Sequence, residues 1–128
     1  MKMLLDSHIL IWHREDDPRL PLEFSQALED PANELFVSVA TLWELTIKES
    51  LGKLNIVGGV KKLQQDWVGS GAATLLNIHW LHLERLQTLP MLHRDPFDRI
   101  LVAQSLTMNS VLLSQDPKVR QYPDLKLL

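Results

Sequence analysis

The sequence predicts an α/β fold in which a parallel sheet is covered by helices on both faces, and three observations lead there. Short apolar runs of strand length alternate with amphipathic helical runs, the pattern of successive βαβ units. The length of 128 residues suits one domain, able to bury about two-thirds of its unfolded surface in a single core, so 1–128 is read as one unit. Two apolar runs end at acids, Asp6 and Asp116, which belongs to the strand edge where ligands bind in such sheets.

Lys2 to Leu5, ending at Asp6, is a buried parallel strand. The helix after it is capped by Ser7 or Asp6 and continues through Ile9, Leu10, Trp12 and His13 to the turn Glu15-Asp16-Asp17-Pro18. A second helix runs from about Pro21 to Leu28. Glu34 to Val39 is a strand, and Ser38 caps the next helix, whose apolar Val39, Leu42, Trp43, Leu45 and Ile47 surround Glu44. Gly52 closes it. Val60 to Val68 reads as helix, Ala73 to Ile78 as strand, and Trp80 to Leu89 as helix through Leu81, Leu83 and Leu86. Pro96 opens a helix that reaches Met108, Val111 to Ser114 is a strand ending near Asp116, and Leu125 to Leu128 is a last short strand. If the first and fourth strands are neighbours, Asp6 and Asp116 face one crevice.

Composition removes several function classes. No apolar stretch approaches the roughly 20 residues of a membrane span, and the start turns acidic at Asp6 with no secretory run before it, so a cytoplasmic location is expected. Cysteine is absent, which excludes disulfides, thiolate metal sites and cysteine nucleophiles and leaves oxygen or imidazole to hold any metal. A formal charge of -3 counts against a broad basic surface for polyanions. If four carboxylates instead hold divalent cations in one pocket, the remaining surface is slightly positive and no longer repulsive.

The acids each admit a purely structural reading. Asp95-Pro96-Phe97-Asp98 has the grammar of an N-cap, a proline at N1 and an acid in the first turn, and Asp116-Pro117 looks the same. Asp17-Pro18 and Asp30-Pro31 share it without following strand ends, and are assigned to turns. Helical spacing, however, puts Asp98 on a stripe with Leu101, Val102 and Ser105, where an unpaired charge is costly. Glu44 shares a stripe with Ala40, Ile47 and Leu51, and no Lys or Arg is read as equally placed beside it. A shared cation resolves both difficulties. Magnesium, which takes one or two carboxylates plus water and phosphate oxygens, suits such a pocket. One or two ions, roughly 3.5 to 4 Å apart if two, could then promote a phosphodiester displacement by water that leaves a 5′-phosphate and a 3′-hydroxyl.

Four segments carry a resemblance: Leu4-Leu5-Asp6-Ser7-His8; Ser38 to Glu44 with Ile47-Lys48 and Gly52-Lys53-Leu54; His93 to Gln104; and Leu113-Ser114-Gln115-Asp116. In this order the chain resembles PIN-domain nucleases, and within them the VapC-type toxins of prokaryotic toxin-antitoxin pairs, over nearly its whole length. The resemblance implies a three-layer PIN-like fold with a five-stranded parallel sheet of order 3-2-1-4-5, dependence on Mg2+ or Mn2+, cleavage of RNA, homodimerisation, and inhibition by a small antitoxin protein. Carried over position by position, it implies that Asp6, Glu44 and Asp98 are metal ligands, Asp116 a ligand of a second metal or a group just outside the ligand set, and Ser114 an orienting hydroxyl. Asp95 stands between helix cap and ligand, with the cap favoured.

Lesser candidates surround these. Arg94 and Arg99 flank the acidic helix start and could hold a phosphate or an antitoxin carboxylate, against the plainer reading of solvated arginines beside acids. Lys48 and Lys53 could line an RNA groove. His8, His13 and His93 invite a metal-free reading in which imidazoles drive attack by an RNA 2′-hydroxyl, although their spacing does not pair them. His79 and His82 share a helix face but lack a third zinc ligand. Trp12, Trp43, Trp67 and Trp80 are read as core or dimer contacts rather than base platforms. A phosphoacceptor receiver domain would need an acidic pair after the first strand, where this chain has Asp6-Ser7-His8. A catalytically silent module of the same fold, gripping a partner arginine in the acidic pocket, is the alternative the sequence leaves open.

Overall fold

The computed structural model describes residues 1–128. In chain order it contains β1 (Lys2–Leu5), α1 (Ser7–Arg14), α2 (Leu22–Glu29), β2 (Glu34–Ser38), α3 (Val39–Ser50), α4 (Gly59–Gln64, running on into a π-helical turn at Gln65–Gly69), β3 (Thr74–Leu76), α5 (Trp80–Thr88), α6 (Pro96–Met108), β4 (Val111–Leu113), α7 (Pro117–Arg120) and β5 (Lys126–Leu127). All strand pairs are parallel and the sheet order is β3-β2-β1-β4-β5, as the resemblance implies.

Strand alternation divides the core between two faces of this sheet. Met3 and Leu5, Leu35 and Val37, and Val111 and Leu113 face one side, where they meet Ile9 and Leu10 of α1, Phe24 of α2, Leu45 of α3, and Leu63 and Trp67. The residues between them, Leu4, Phe36 and Leu112, face the other side and meet Leu101 and Val102 of α6 with Val119 and Tyr122. Both faces are covered because the three central strands, β1, β2 and β4, run apolar on both of their sides, as a buried parallel sheet requires. Each fully buried leucine, such as Leu4, Leu5 or Leu112, contributes about 1.5–3 kcal/mol of transfer free energy.

The register Leu5↔Leu113 aligns the C-terminal ends of β1 and β4, and the Asp6 amide extends the ladder by donating to the Leu113 carbonyl at 3.0 Å. Since β1 turns back to β2 on one side and leads to β4 on the other, the two neighbours diverge at this edge and leave a crevice. The helices that begin there are capped as the sequence reads: Asp6 for α1, Ser38 for α3, Asp95 for α6 and Asp116 for the short α7.

Four details differ from expectation. β3 is shorter, because only Thr74–Leu76 finds ladder partners on β2. The helix expected through Val68 widens into the π turn, in which Trp67 is buried and its indole Nε1 donates to the Leu10 carbonyl at 3.1 Å. Helix α7, not expected as an element, follows the Asp116-Pro117 cap. Trp43 and Trp80 are 59% and 66% exposed, which removes the core half of their core-or-dimer reading and leaves the dimer half as an expectation. No helix is long and apolar enough to cross a membrane.

Candidate functional site

The crevice beyond β1 and β4 gathers the acids that the sequence singles out. Asp6 is 4% exposed and doubly held: Oδ1 accepts from the Ser7 amide at 2.8 Å and Oδ2 from the Ser114 hydroxyl at 2.7 Å. Ser114, fully buried, in turn accepts from the Asp116 amide at 3.1 Å, so the expected orienting hydroxyl ties the two strand-end acids together. Asp116 Oδ1 caps α7 through the Lys118 amide at 2.9 Å. His8 closes this side. Its Nε2 accepts from the Gln115 amide at 2.9 Å, which assigns the ring proton to Nδ1, facing Asp6 Oδ2 at 3.7 Å.

Glu44, Asp95 and Asp98 form the tightest group: one carboxylate oxygen of each lies within 4.8 Å of the others. Glu44 arrives from the inner face of α3 and is 7% exposed. Asp98 arrives from the first turn of α6, its Oδ2 beside His93 Nε2 at 3.2 Å. Asp95 is a helix cap by geometry and a neighbour of the other two acids. Its Oδ1 accepts from the Phe97 and Asp98 amides at 2.9 and 3.1 Å, and the same side chain joins the carboxylate group. Asp6 and Asp116 stand outside this close trio yet near enough to act on it electrostatically.

The charges show that crowding. Burial, followed by the negative charge of Asp6 and Asp95, pushes Asp98 up to about 6, with the His93 hydrogen bond pulling the other way and Asp116 adding a further push. Burial also raises Glu44, against the pull of Lys48 and with the push of Asp95, Asp98 and Asp6. His8 is lowered by burial despite Asp6 and Asp116 beside it. An all-oxygen set of crowded, partly buried carboxylates carrying surplus negative charge fits a hard divalent cation, which would relieve the repulsion that raises Asp98 and Glu44.

Two sequence readings are corrected. Glu44 does have a cation equally placed: Lys48, one helical turn later, brings Nζ to 3.7 Å from Oε2. Arg99 is not a solvated or phosphate-holding surface arginine. It is 8% exposed and turned inward, donating to the Pro90 carbonyl and to the Tyr122 hydroxyl, each at 2.9 Å. Arg94 and Lys53 are exposed. His79 and His82 make no zinc site, because His82 Nδ1 accepts from the His79 amide at 3.0 Å as part of the cap of α5. His93 and Tyr122 were not legible as neighbours of Asp98. His93 lies before the helix, where spacing gives no direction, and Tyr122 lies in another segment altogether.

The PIN domain family model matches residues 3–125. No curated protein matches the chain. Among solved structures, it is similar to VapBC2 from Rickettsia felis bound to a DNA fragment from its promoter (14% identity, 100% of this chain and 98% of that one covered, TM-score 0.76). It is similar also to VapBC-1 from nontypeable Haemophilus influenzae (21%, 100% and 97%, 0.70) and to DNA-bound VapBC from Salmonella typhimurium (13%, 100% and 97%, 0.66). At these identities the likeness is one of fold.

Proposed function

The chain belongs to the PIN-domain family, and on that footing we propose that it is a single-domain, cytoplasmic, divalent-metal-dependent ribonuclease and the toxin of a toxin-antitoxin pair. The observation that carries this reading is the meeting of Glu44, Asp95 and Asp98 oxygens within 4.8 Å beside the doubly held Asp6. Asp6, Glu44 and Asp98, with Asp116 and Asp95 beside them, would hold Mg2+, or Mn2+ in its place. When bound, such an ion supplies charge stabilisation at a phosphodiester and acidifies water.

The chain's own contribution is placement. Ser114 and the Ser7 amide fix the rotation of Asp6, and His8 Nδ1–H faces the same carboxylate. Lys48, half exposed at the rim, suits a contact to an RNA phosphate while offsetting Glu44. Phe97 and Trp43, each next in sequence to a site acid, meet edge to face at 5.0 Å and pack α6 against α3. Similarity to VapBC assemblies supports a small antitoxin protein as partner, while the homodimer rests on the family resemblance alone.

The test is cleavage of single-stranded and structured RNA by the purified protein. Cleavage is expected with Mg2+ or Mn2+, its loss in EDTA, and its loss in Asp6→Ala and Asp98→Asn with the circular dichroism spectrum retained. Undiminished cleavage by either variant refutes the assigned roles, and intact RNA with the wild-type protein under all metals favours the silent binding module.

A further inference from the structure

Asp98 is the end of a chain of hydrogen bonds that the proposed ligand set does not use. His93 Nε2 meets Asp98 Oδ2 at 3.2 Å, His93 Nδ1 meets the Tyr122 hydroxyl at 2.7 Å, and that hydroxyl meets Arg99 Nη1 at 2.9 Å. All four side chains are largely withdrawn from solvent: Tyr122 and Arg99 are 4% and 8% exposed, and the side chains of His93 and Asp98 are 9% and 14% exposed. They come from three segments, the loop before α6, α6 itself, and the turn after α7.

With a neutral His93 ring carrying its proton toward the Asp98 carboxylate, donor and acceptor chemistry gives the chain one direction. A guanidinium has no acceptor, so Arg99 can only donate, and the two hydrogens of Nη1 are taken by the Pro90 carbonyl and the Tyr122 oxygen. The Tyr122 hydroxyl, already accepting, sends its own proton to His93 Nδ1. That nitrogen is then an acceptor, the ring carries its proton on Nε2, and Nε2–H donates to the carboxylate. Because Arg99 follows Asp98 on α6, the chain closes on itself through one peptide unit and ties the carboxylate to the helix that bears it.

We propose that Arg99, Tyr122 and His93 are positioning residues for Asp98: the one-way chain presents His93 Nε2–H to Oδ2, fixes the carboxylate's rotation, and leaves Oδ1 free for a cation. This deepens the metal-centre reading and rests on it. The analogous arrangement around metal-bound histidines uses a carboxylate to orient the ring, and loss of such an orienting partner costs about 10- to 100-fold in metal affinity or activity. Here the roles are exchanged.

The experiment uses the full chain. Long-range 15N–1H NMR of the metal-free protein is expected to show His93 protonated at Nε2 and bare at Nδ1. Tyr122→Phe, which keeps the ring and removes the hydroxyl, is expected to give mixed His93 tautomers, about 10- to 100-fold weaker Mn2+ binding by titration calorimetry, and a lower kcat at unchanged KM for RNA. Should Tyr122→Phe not fold, His93→Gln carries the test, since its amide keeps a donor toward Asp98 and should retain more Mn2+ affinity than His93→Ala. A proton on His93 Nδ1 in the wild type, an unchanged tautomer and affinity in Tyr122→Phe, or equal losses in the two His93 variants would overturn the proposal. Failure of the wild-type protein to bind Mn2+ sinks the metal-centre reading itself, while the tautomer comparison still decides the chain.

Discussion

Ser114 Oγ donates to Asp6 Oδ2 across 2.7 Å, and the two residues stand one position beyond the paired Leu5 and Leu113. The sheet register therefore delivers the hydroxyl to the carboxylate. Ser114→Ala leaves a buried carboxylate oxygen without its donor, and the expected cost is about 1–3 kcal/mol. Chemical denaturation of the metal-free protein checks this, with an unchanged midpoint counting against it.

Asp98 gives a pH signature with a definite sign. Its carboxyl stands at about 6 in the folded protein, above the ordinary value of 3.8, so the folded state holds that proton more tightly than the unfolded chain. The metal-free protein should thus lose stability from this group as pH rises from about 4 to 6 and lose no more above that. Asp98→Asn removes the penalty. In EDTA above pH 6 the variant should be more stable than the wild type, by on the order of 2 kcal/mol, with the gap closing toward pH 4. Paired thermal melts across that range measure it.

Metal addition should reverse the comparison. Mn2+ at about 100 times its dissociation constant stabilises the folded protein by roughly 2.7 kcal/mol, and Asp98→Asn should not respond at the same concentration. Differential scanning calorimetry with and without Mn2+ reads both; equal stabilisation of the two proteins would remove Asp98 from the ligand set.

Asp95 separates cap from ligand in one substitution. Serine caps helices about as well as aspartate, so Asp95→Ser should keep the thermal midpoint while weakening Mn2+ binding at least about tenfold. Asp95→Ala should lose both, the cap costing about 0.5–2 kcal/mol. Full Mn2+ affinity in Asp95→Ser would reduce the residue to its capping role.

Lys48 pulls the Glu44 carboxyl down against the effect of burial. Lys48→Met should raise Glu44 further and shift the acid limb of Mn2+ binding toward higher pH, by a fraction of a unit because the lysine is 48% exposed. Lys48→Arg should leave the limb in place. Calorimetric titrations at several pH values distinguish the variants.

The strand edges were readable because apolar runs that end in an acid mark the carboxyl end of a parallel strand, and Asp6 and Asp116 both lie there. Asp98 and Glu44 were readable because a carboxylate on an apolar helical stripe demands a partner. Spacing along one helix also holds the Lys48 contact, four residues after Glu44. Other features lie beyond any local pattern. Arg99 reads like any first-turn arginine until Tyr122, 23 positions away, supplies a buried acceptor for it. The π turn depends on Trp67 reaching the Leu10 carbonyl, 57 positions away. Neither contact leaves a periodicity, since both are set by how separate segments dock.

The clasp between β1 and β4 spans 108 positions of sequence. During synthesis the Asp6 side chain is made long before the hydroxyl that restrains it, and Tyr122 is made later still. Until those residues leave the ribosome, the pocket has neither its Asp6 restraint nor the buried chain behind Asp98. A nascent chain that has not yet released both residues would hold these acids in a looser arrangement than the folded domain does.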